Sequence, residues 1–364
     1  MGARRGLHRA LRGHGRRRVR LPLALLSTDG VWITELGDGP ARRRLAVKDL
    51  FDTAGIRTTY GSAVFADHVP AVTAPAVAEL EARGWANVGK TNLHEFAYGV
   101  TSQNLHYGVV PNPRHLELTA GGSSGGSAAA LVLGEADAAL GTDTGGSIRI
   151  PAACCGIVGF KPTFGLLSTD GVFPLAPTFD HAGPMALDVA GCAELMGLEP
   201  PELELSDLSV AKAWGDVPVD GARIDFPTAE AVAPAFMREV ADIHRELYAE
   251  HSELYGENIR GKIERCLEVS DAEYKQALHA RAEHRERAEE ALGAHDVLVT
   301  PVLSCPVPAV GCVETEVRAA MTLYTFPFNA LGWPALAVGG VQIVGRPGAD
   351  RLVLGAGLAL ERTQ

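Results

Sequence analysis

The sequence lacks the long apolar run that a membrane-spanning helix requires. None of its 364 residues lies in a stretch approaching the roughly eighteen consecutive apolar residues of such a helix, so a soluble protein with no membrane association is predicted. Cysteine is also scarce, and the six cysteines show neither a C-x-x-C pair nor a zinc-like spacing with histidine. They are interpreted as small core residues in a reducing, cytoplasmic setting. Neither a metal nor a cofactor is expected.

The body of the chain lacks the positive charge that favours nucleic acid, so no nucleic-acid partner is expected for it. The formal net charge is -11, although residues 1–44 hold eleven arginines against three acidic residues. Residues 1–40 are interpreted as a basic tail that is disordered or lies upstream of the true start. The six-residue apolar stretch in this tail is short for an export signal.

The stretch GWANVGKT, residues 84–91, fits the phosphate-loop pattern G-x-x-x-x-G-K-[ST], but its context does not. A phosphate loop joins the end of a strand to the start of a helix, whose N–H groups hold the phosphates. Residues 76–83 are instead good helix formers that end at Gly84, and residues 85–89 read as a short strand. This order is reversed, so nucleotide binding is not predicted.

The distribution of apolar runs predicts an α/β fold in one domain. Between residues 45 and 190, short Val/Ala/Ile/Leu runs alternate with helix-like stretches and glycine-rich joints. Residues 222–293 are helical and charged, and strand-like runs return at residues 296–301 and 334–338. Because strand-like runs lie both before and after the helical stretch, they are expected to form one sheet. This predicts a single domain over residues 41–364, with a helical insertion at about residues 222–293.

Two glycine-serine turns make residues 119–160 the most informative stretch. The first turn, residues 121–126, opens into an alanine-rich helix around residues 127–133, and the second, residues 141–147, follows a strand-like run. Glycines beside a serine allow consecutive N–H groups to point at one spot, as an oxyanion hole requires. Each such donor lowers the barrier by about 3–4 kcal/mol in measured cases. The pattern therefore predicts a reactive pocket.

A serine nucleophile needs a base, and none of the twelve histidines lies in a comparably shaped motif. Four of them, His68, His94, His106 and His181, are interpreted as ordinary polar or structural residues. A lysine can serve instead when burial lowers its pKa. Lys48 ends an apolar strand-like run that would carry it into the core. Lys90 and Lys161 fit a structural role, with packed stems and heads in ion pairs.

The stretch from Gly121 to Pro162, with Val47-Lys48-Asp49 and Gly89-Lys90-Thr91-Asn92 upstream, strongly resembles the amidase signature family. The match runs from about residue 45 to 190 and resumes at Thr300-Pro301, in residues 329–335 and in residues 341–345. The resemblance implies an α/β/α sandwich around a large mixed β-sheet. It also implies that GKTN, residues 89–92, is a strand and loop of this fold, so Lys90 is not expected to bind phosphate.

The resemblance also implies a Ser–cis-Ser–Lys catalytic set. Carried onto matching positions, Ser147 is the nucleophile, Ser123 the bridging serine and Lys48 the base. The implied oxyanion donors are the backbone N–H groups of Thr144, Gly145, Gly146 and Ser147. The expected reaction is hydrolysis of a small-molecule amide to the acid and ammonia or an amine through an acyl-enzyme, with a homodimer left open.

Two departures from the family keep other functions open. The glycine-proline turn usual before the base is replaced by Arg42-Arg43-Arg44, and residues 190–300, which carry substrate-selecting loops, are shorter than in many members. One alternative is the glutaminase subunit of a tRNA-dependent amidotransferase, or an allophanate hydrolase, with the same core. A second alternative is a non-catalytic homologue that binds ligands or partners.

Overall fold

Eleven strands form one mixed sheet within residues 29–37 and 43–363, the part of the chain that the computed structural model describes. The strands, including a separate pair β4 and β5, are β1 (Trp32–Glu35), β2 (Arg44–Lys48), β3 (Ala86–Thr91), β4 (Gln103–Asn104), β5 (Gly108–Val109), β6 (Ala138–Asp143), β7 (Val158–Lys161), β8 (His181–Ala186), β9 (Val210–Lys212), β10 (Ala222–Arg223), β11 (Val297–Pro301), β12 (Ala335–Val338) and β13 (Val341–Val344). Across the sheet the order is β1-β3-β2-β6-β8-β7-β12-β13-β11-β9-β10. Strand β2 pairs in parallel with β3 and β6, whereas β8 is antiparallel to β6 and β7. The predicted large mixed sheet is confirmed.

Helices pack on both faces of this sheet. They are α1 (Pro75–Ala82), α2 (Gly125–Leu133), α3 (Arg149–Cys155), α4 (Val189–Met196), α5 (Ala233–His251), α6 (Glu257–Leu267), α7 (Asp271–Leu292), α8 (Glu314–Thr322), α9 (Phe326–Leu331) and α10 (Asp350–Glu361). Side chains alternate between the faces of a strand, so β2 contributes to two separate cores. Leu45 and Val47 pack with Val77 of α1, whereas Ala46 packs with the alanines of α2. The layers are those of an α/β/α sandwich.

Local structure follows the sequence pattern in several places. Helix α1 precedes Gly84, whose φ of 88° is a left-handed conformation that glycine adopts readily, and strand β3 follows. The reversed order that argued against a phosphate loop is therefore confirmed. The strands predicted at residues 296–301 and 334–338 are β11 and β12.

Two predicted boundaries, the end of the amino-terminal tail and the start of the helical insertion, differ from the structure. Strand β1 pairs antiparallel with β3, so the sheet already includes residues 32–35 of the segment predicted as a tail. Residues 1–28 and 38–42 lie outside the described residues. The predicted helical insertion holds α5, α6 and α7, but its first residues, Ala222–Arg223, are the edge strand β10.

Four cysteines lie in the core, as their apolar neighbours suggest. Cys154, Cys155, Cys192 and Cys266 are buried, Cys305 and Cys312 are half-buried, and all six are free thiols. Across residues 29–37 and 43–363, no helix is long and apolar enough to cross a bilayer. The same part of the chain holds no group of three or more His, Cys, Asp or Glu that could bind a metal ion.

Candidate active site

Lys48 is the last residue of β2 and is completely buried. Strand β2 is paired on both sides, with β3 and β6, so the side chain at its last residue lies inside the protein. Its Nζ atom donates to Ser123 Oγ at 2.7 Å and to Thr142 Oγ1 at 2.6 Å. The structure therefore brings together two of the residues that the resemblance assigns to catalysis. Thr142, at the second contact, was missed by the sequence interpretation.

Burial gives Lys48 an unusual protonation equilibrium. Loss of hydration lowers the pKa of Lys48 to about 7, and the charges of Asp143 and Asp180 oppose part of this change. A substantial fraction of the lysine is therefore neutral near neutral pH. A neutral amine at 2.7 Å from a hydroxyl can accept its proton along the same contact, whereas an ammonium can only donate.

Backbone geometry fixes Ser123. The peptide bond between Gly122 and Ser123 is cis, and Gly121 has a φ of 74°, which favours glycine. A Cβ atom on Gly122 would lie 2.8 Å from the backbone nitrogen of Ser102, so the close approach of the two segments also requires glycine. The Ser123 carbonyl accepts hydrogen bonds from the His94 N–H and the Ser102 hydroxyl, both at 3.2 Å. The serine is thus held from both sides.

Ser147 lies in the turn between β6 and α3 and faces a cavity of about 250 Å³. Its carbonyl accepts from the Ser124 N–H at 3.2 Å, which ties the two glycine-serine turns together. Within the described part of the chain, the hydrogen bonds link Lys48 to Ser123 but do not link the hydroxyl of Ser123 to that of Ser147. The Lys48–Ser123 half of the expected relay is therefore present in this conformation.

The four expected oxyanion donors have different surroundings. Thr144, Gly145 and Ser147 line the cavity. The Gly146 N–H instead donates to Asp143 Oδ1 at 2.8 Å. Gly146 has a φ of 129°, and a Cβ atom there would lie 2.3 Å from Thr325 Oγ1, so this glycine shapes the turn.

A buried network behind the turn was missed by the sequence interpretation. Asp143 and Arg149 are fully buried and contact each other through two hydrogen bonds of 2.9 and 3.0 Å. Asn329 donates to Asp143 at 2.8 Å, and Gln342 accepts from Arg149 at 2.8 Å. Burial alone would raise the pKa of Asp143, but Arg149 outweighs it and holds that pKa well below its usual range. An Asp and an Arg six positions apart inside the glycine-serine stretch were the signal for this pair.

Asp180 is a second buried carboxylate at the site. It accepts from the Thr144 hydroxyl at 2.6 Å and from the N–H groups of Leu175 and Ala176 at 2.9 and 3.1 Å. Burial raises the pKa of Asp180, while its hydrogen bonds and the charge of Lys48 oppose the change. Asp180 therefore orients Thr144 and contributes negative charge near Lys48. Its sequence position carried no motif that pointed to this role.

The other two candidate lysines are structural. Lys90 donates to the Phe51 carbonyl and to Thr58 Oγ1, both at 2.6 Å, and forms an ion pair with Asp49 at 3.3 Å. Lys161 donates to the Trp333 carbonyl at 2.5 Å. Both are buried, and in the described part of the chain neither donates to Ser123 or Ser147, which agrees with the structural interpretation. The Lys161 head bonds to carbonyl groups where an ion pair was expected.

The four histidines considered as bases have other partners. The contacts are His68 with the Tyr60 hydroxyl at 3.1 Å, His94 with the Asn258 amide at 3.2 Å, His106 with Glu95 at 3.2 Å and His181 with the Phe179 carbonyl at 2.7 Å. Burial lowers the pKa of His94 to about 3, so this ring is neutral. The interpretation of these histidines as polar or structural residues agrees with these contacts.

The cavity in front of Ser147 has two kinds of wall. Leu175, Phe236, Met237 and Phe326 supply an apolar surface. Helices α6 and α8 supply a polar surface that contains Lys262, Arg265 and Arg318. A mostly apolar cleft with a few placed polar groups is typical of small-molecule sites.

Comparison with known proteins assigns the same region to one family. A family model described as Amidase matches residues 45–200. The chain is 33% identical to a glutamyl-tRNA(Gln) amidotransferase subunit of Haloarcula marismortui, over 89% of this chain and 96% of that protein. It is 32% identical to the AtzE subunit of the 1-carboxybiuret hydrolase of Pseudomonas sp. (strain ADP), over 87% of this chain and 83% of that protein.

Among solved structures, the fold is similar to one described as an amidase. The TM-score is 0.81 at 33% sequence identity, over 89% of this chain and 85% of that chain. Sequence and structure thus agree over most of the length of both proteins.

Proposed function

The chain belongs to the amidase signature family of enzymes that act on amide C–N bonds, and on this premise we propose that it hydrolyses a carboxylic amide through an acyl-enzyme on Ser147. The products are the carboxylic acid and ammonia or an amine. One observation carries the proposal: a buried lysine with a pKa lowered to about 7 lies 2.7 Å from the hydroxyl of Ser123.

In the first step, neutral Lys48 accepts the proton of Ser123 Oγ while Ser123 accepts the proton of Ser147 Oγ. The Ser147 oxygen forms a bond to the amide carbon, and the carbonyl oxygen becomes an oxyanion. Proton transfer of this kind contributes about 10²–10⁴-fold to the rate. The Lys48–Ser123 contact supports the direction of the relay, and Thr142 holds the lysine in place.

The oxyanion is stabilised by N–H groups of the turn that ends at Ser147. We assign this role to Thr144, Gly145 and Ser147, which line the cavity. The Gly146 N–H donates to Asp143 and so holds the shape of the turn. Asp143 also accepts from the N–H groups at the start of α3, which fixes the donors before substrate binds.

Collapse of the intermediate breaks the amide C–N bond. The proton held by Lys48 returns through Ser123 to the leaving nitrogen, which departs as ammonia or an amine. Water then loses a proton through the same relay and attacks the ester carbon, and Ser147 recovers its proton as the acid leaves.

Labelling with a fluorophosphonate tests the proposal directly. Intact mass and peptide mapping should show one adduct on Ser147, and Ser147→Ala should show none. Ser123→Ala and Lys48→Ala should label about 10²-fold or more slowly, because the relay is broken. The exposed residues Ser206 and Lys275 provide matched controls, and Ser206→Ala and Lys275→Ala should label like the wild type. An unlabelled wild type would favour the non-catalytic homologue.

A second candidate function is the amide-hydrolysing component of a tRNA-dependent amidotransferase. The observation that favours it is the 33% identity that extends over 96% of the amidotransferase protein from Haloarcula marismortui. Ammonia release from glutamine, together with a stable partner protein in affinity purification at native expression level, would support this candidate. Ammonia release from simple amides by the isolated chain, with none from glutamine, would exclude it.

A further inference from the structure

The polar wall of the cavity concentrates positive charge. Lys262 and Arg265 lie on α6 and Arg318 on α8, and all three line the cavity that Ser147 faces. Glu314, one turn before Arg318 on α8, forms ion pairs with Lys262 and Arg318. The wall therefore carries more positive than negative charge.

Lys262 and Glu314 compensate each other. The Lys262 Nζ atom lies 2.9 Å from Glu314 Oε2 and also donates to the Tyr98 carbonyl. Glu314 Oε1 accepts from the Val100 N–H at 3.2 Å. Both side chains are buried and nearly all of their polar atoms are engaged. Glu314 is also within 3.6 Å of Arg318, so one carboxylate is shared by two of the three positive side chains of the wall and the wall keeps a net positive charge.

Arg318 is poorly satisfied by the protein itself. Its guanidinium carbon lies over the Tyr98 ring, 4.5 Å from the ring centre, in a cation–π contact. Its Nη1 atom is buried and lies 3.6 Å from Glu314 Oε1, too far for a hydrogen bond, and no other described residue accepts from it. A buried N–H without an acceptor is unfavourable, so an acceptor on a ligand would stabilise it.

Arg265 adds a second charge at the exposed side of the same wall. It lies in the last turn of α6 and is exposed, and no described carboxylate forms an ion pair with it. A guanidinium presents paired N–H donors that match the two oxygens of a carboxylate. The two arginines thus offer a site for an anion in the cavity that holds the nucleophile.

We propose that this wall binds a carboxylate on the substrate and that Arg318 determines specificity for it. The substrate class is the monoamide of a dicarboxylic acid, with the amide carbon at Ser147, the chain against the apolar wall and the carboxylate at Arg318. This inference rests on the proposed amide hydrolysis, since it names the substrate of the same site.

Calorimetric binding to the full-length Ser147→Ala protein tests the inference without requiring turnover. The probes are malonamate, succinamate, glutaramate and adipamate, each paired with the neutral primary amide in which a methyl group replaces the carboxylate. At least one of these monoamides should bind roughly tenfold or more tightly than its neutral partner. Adding Arg318→Gln should remove roughly ten- to hundredfold of that affinity, and Arg318→Lys should restore part of it.

Two further variants separate a local site from general charge. Arg265→Gln should weaken monoamide binding less than Arg318→Gln, because Arg265 is exposed. Arg245→Gln, on the outer face of α5, is the matched control and should bind like the parent. Equal binding of monoamides and neutral amides in every pair, or a preference that survives Arg318→Gln, would overturn the inference. Because labelling of Ser147 in the wild type is measured separately, failure of this site and failure of the catalytic proposal are distinguishable.

Discussion

Asp143 and Arg149 form an ion pair with both side chains fully buried, joined by two hydrogen bonds of 2.9 and 3.0 Å. The same carboxylate accepts from the Gly146 N–H, so the ion pair and the turn that carries Ser147 share one residue. Two buried charges are stable in this place because each has several partners, including Asn329 and Gln342. The conformation of the turn that carries Ser147 thus depends on the buried Asp143–Arg149 ion pair.

Removing one partner of this pair should destabilise the protein strongly. Arg149→Ala leaves the Asp143 carboxylate buried without its counter-charge, and the free energy of unfolding should fall by about 3–5 kcal/mol. Urea denaturation followed by circular dichroism measures the change. Arg245→Ala, whose side chain is half exposed in a surface ion pair, is the control and should change stability by less than about 1 kcal/mol. Equal stability of Arg149→Ala and the control would contradict this account of the network.

Activity should rise with pH as Lys48 loses its proton. Only neutral Lys48 can accept the Ser123 proton, and the pKa of Lys48 is lowered to about 7. The rate of Ser147 labelling is therefore expected to increase tenfold per pH unit well below pH 7 and to level off above it. Labelling rates from pH 5 to 9 check this, with Lys275→Ala as a control that keeps the same profile. A profile without any inflection in this range would argue against lysine as the base.

Asp180→Asn should move that pH profile to lower pH. The charge of Asp180 raises the pKa of Lys48, so its removal lowers that pKa and makes the neutral lysine available at lower pH. The single oxygen of the asparagine can still accept from the Thr144 hydroxyl, but the amide NH2 group then replaces the oxygen that accepts from the Leu175 and Ala176 N–H groups. The plateau rate should also fall, because Thr144 is less firmly oriented. A lower plateau with an unmoved midpoint would show that Asp180 acts through structure alone.

Glu314 should contribute stability that is lost in acid. Burial opposes ionisation of Glu314, but the charges of Lys262 and Arg318 outweigh it and lower its pKa to about 2. In the unfolded chain the pKa is about 4.3, so the stabilisation is complete above that value and is lost as the pH falls towards 2. Thermal unfolding of the wild type and Glu314→Gln between pH 3 and 7 measures this. The stability difference between the two proteins should shrink as the pH falls below about 4.3, and a constant difference would contradict the assignment.

Local conformation explains why parts of the site were predictable. Glycines at positions 121, 122 and 146 are needed where the backbone has positive φ or approaches another segment closely, so these turns are visible as a pattern. Lys48 ends an apolar run, and such a run in a parallel strand is buried on both faces. The contact between Lys48 and Ser123 follows from these two local features and the family resemblance.

Long-range packing explains what was not predictable. Arg149 meets Asn329 and Gln342, which lie 180 and 193 positions later in the chain, on a helix and a strand of the completed sheet. Asp180 reaches Thr144 across 36 positions. No local pattern encodes these contacts, because each depends on how separate elements are stacked. The same holds for the first residues of the helical insertion, which joined the sheet as an edge strand.

The sequence by itself predicted an α/β fold and a reactive pocket at two glycine-serine turns, because apolar periodicity and glycine turns reflect local conformation and burial. Its resemblance to the amidase signature family implied the large mixed sheet and the roles of Lys48, Ser123 and Ser147. Only the tertiary structure decided that Gly146 donates to Asp143, that burial lowers the pKa of Lys48 to about 7 and that Arg318 faces the cavity. The pKa of a side chain depends on its loss of hydration and on its charged and hydrogen-bonding neighbours. Both are set only when segments distant in the sequence pack together.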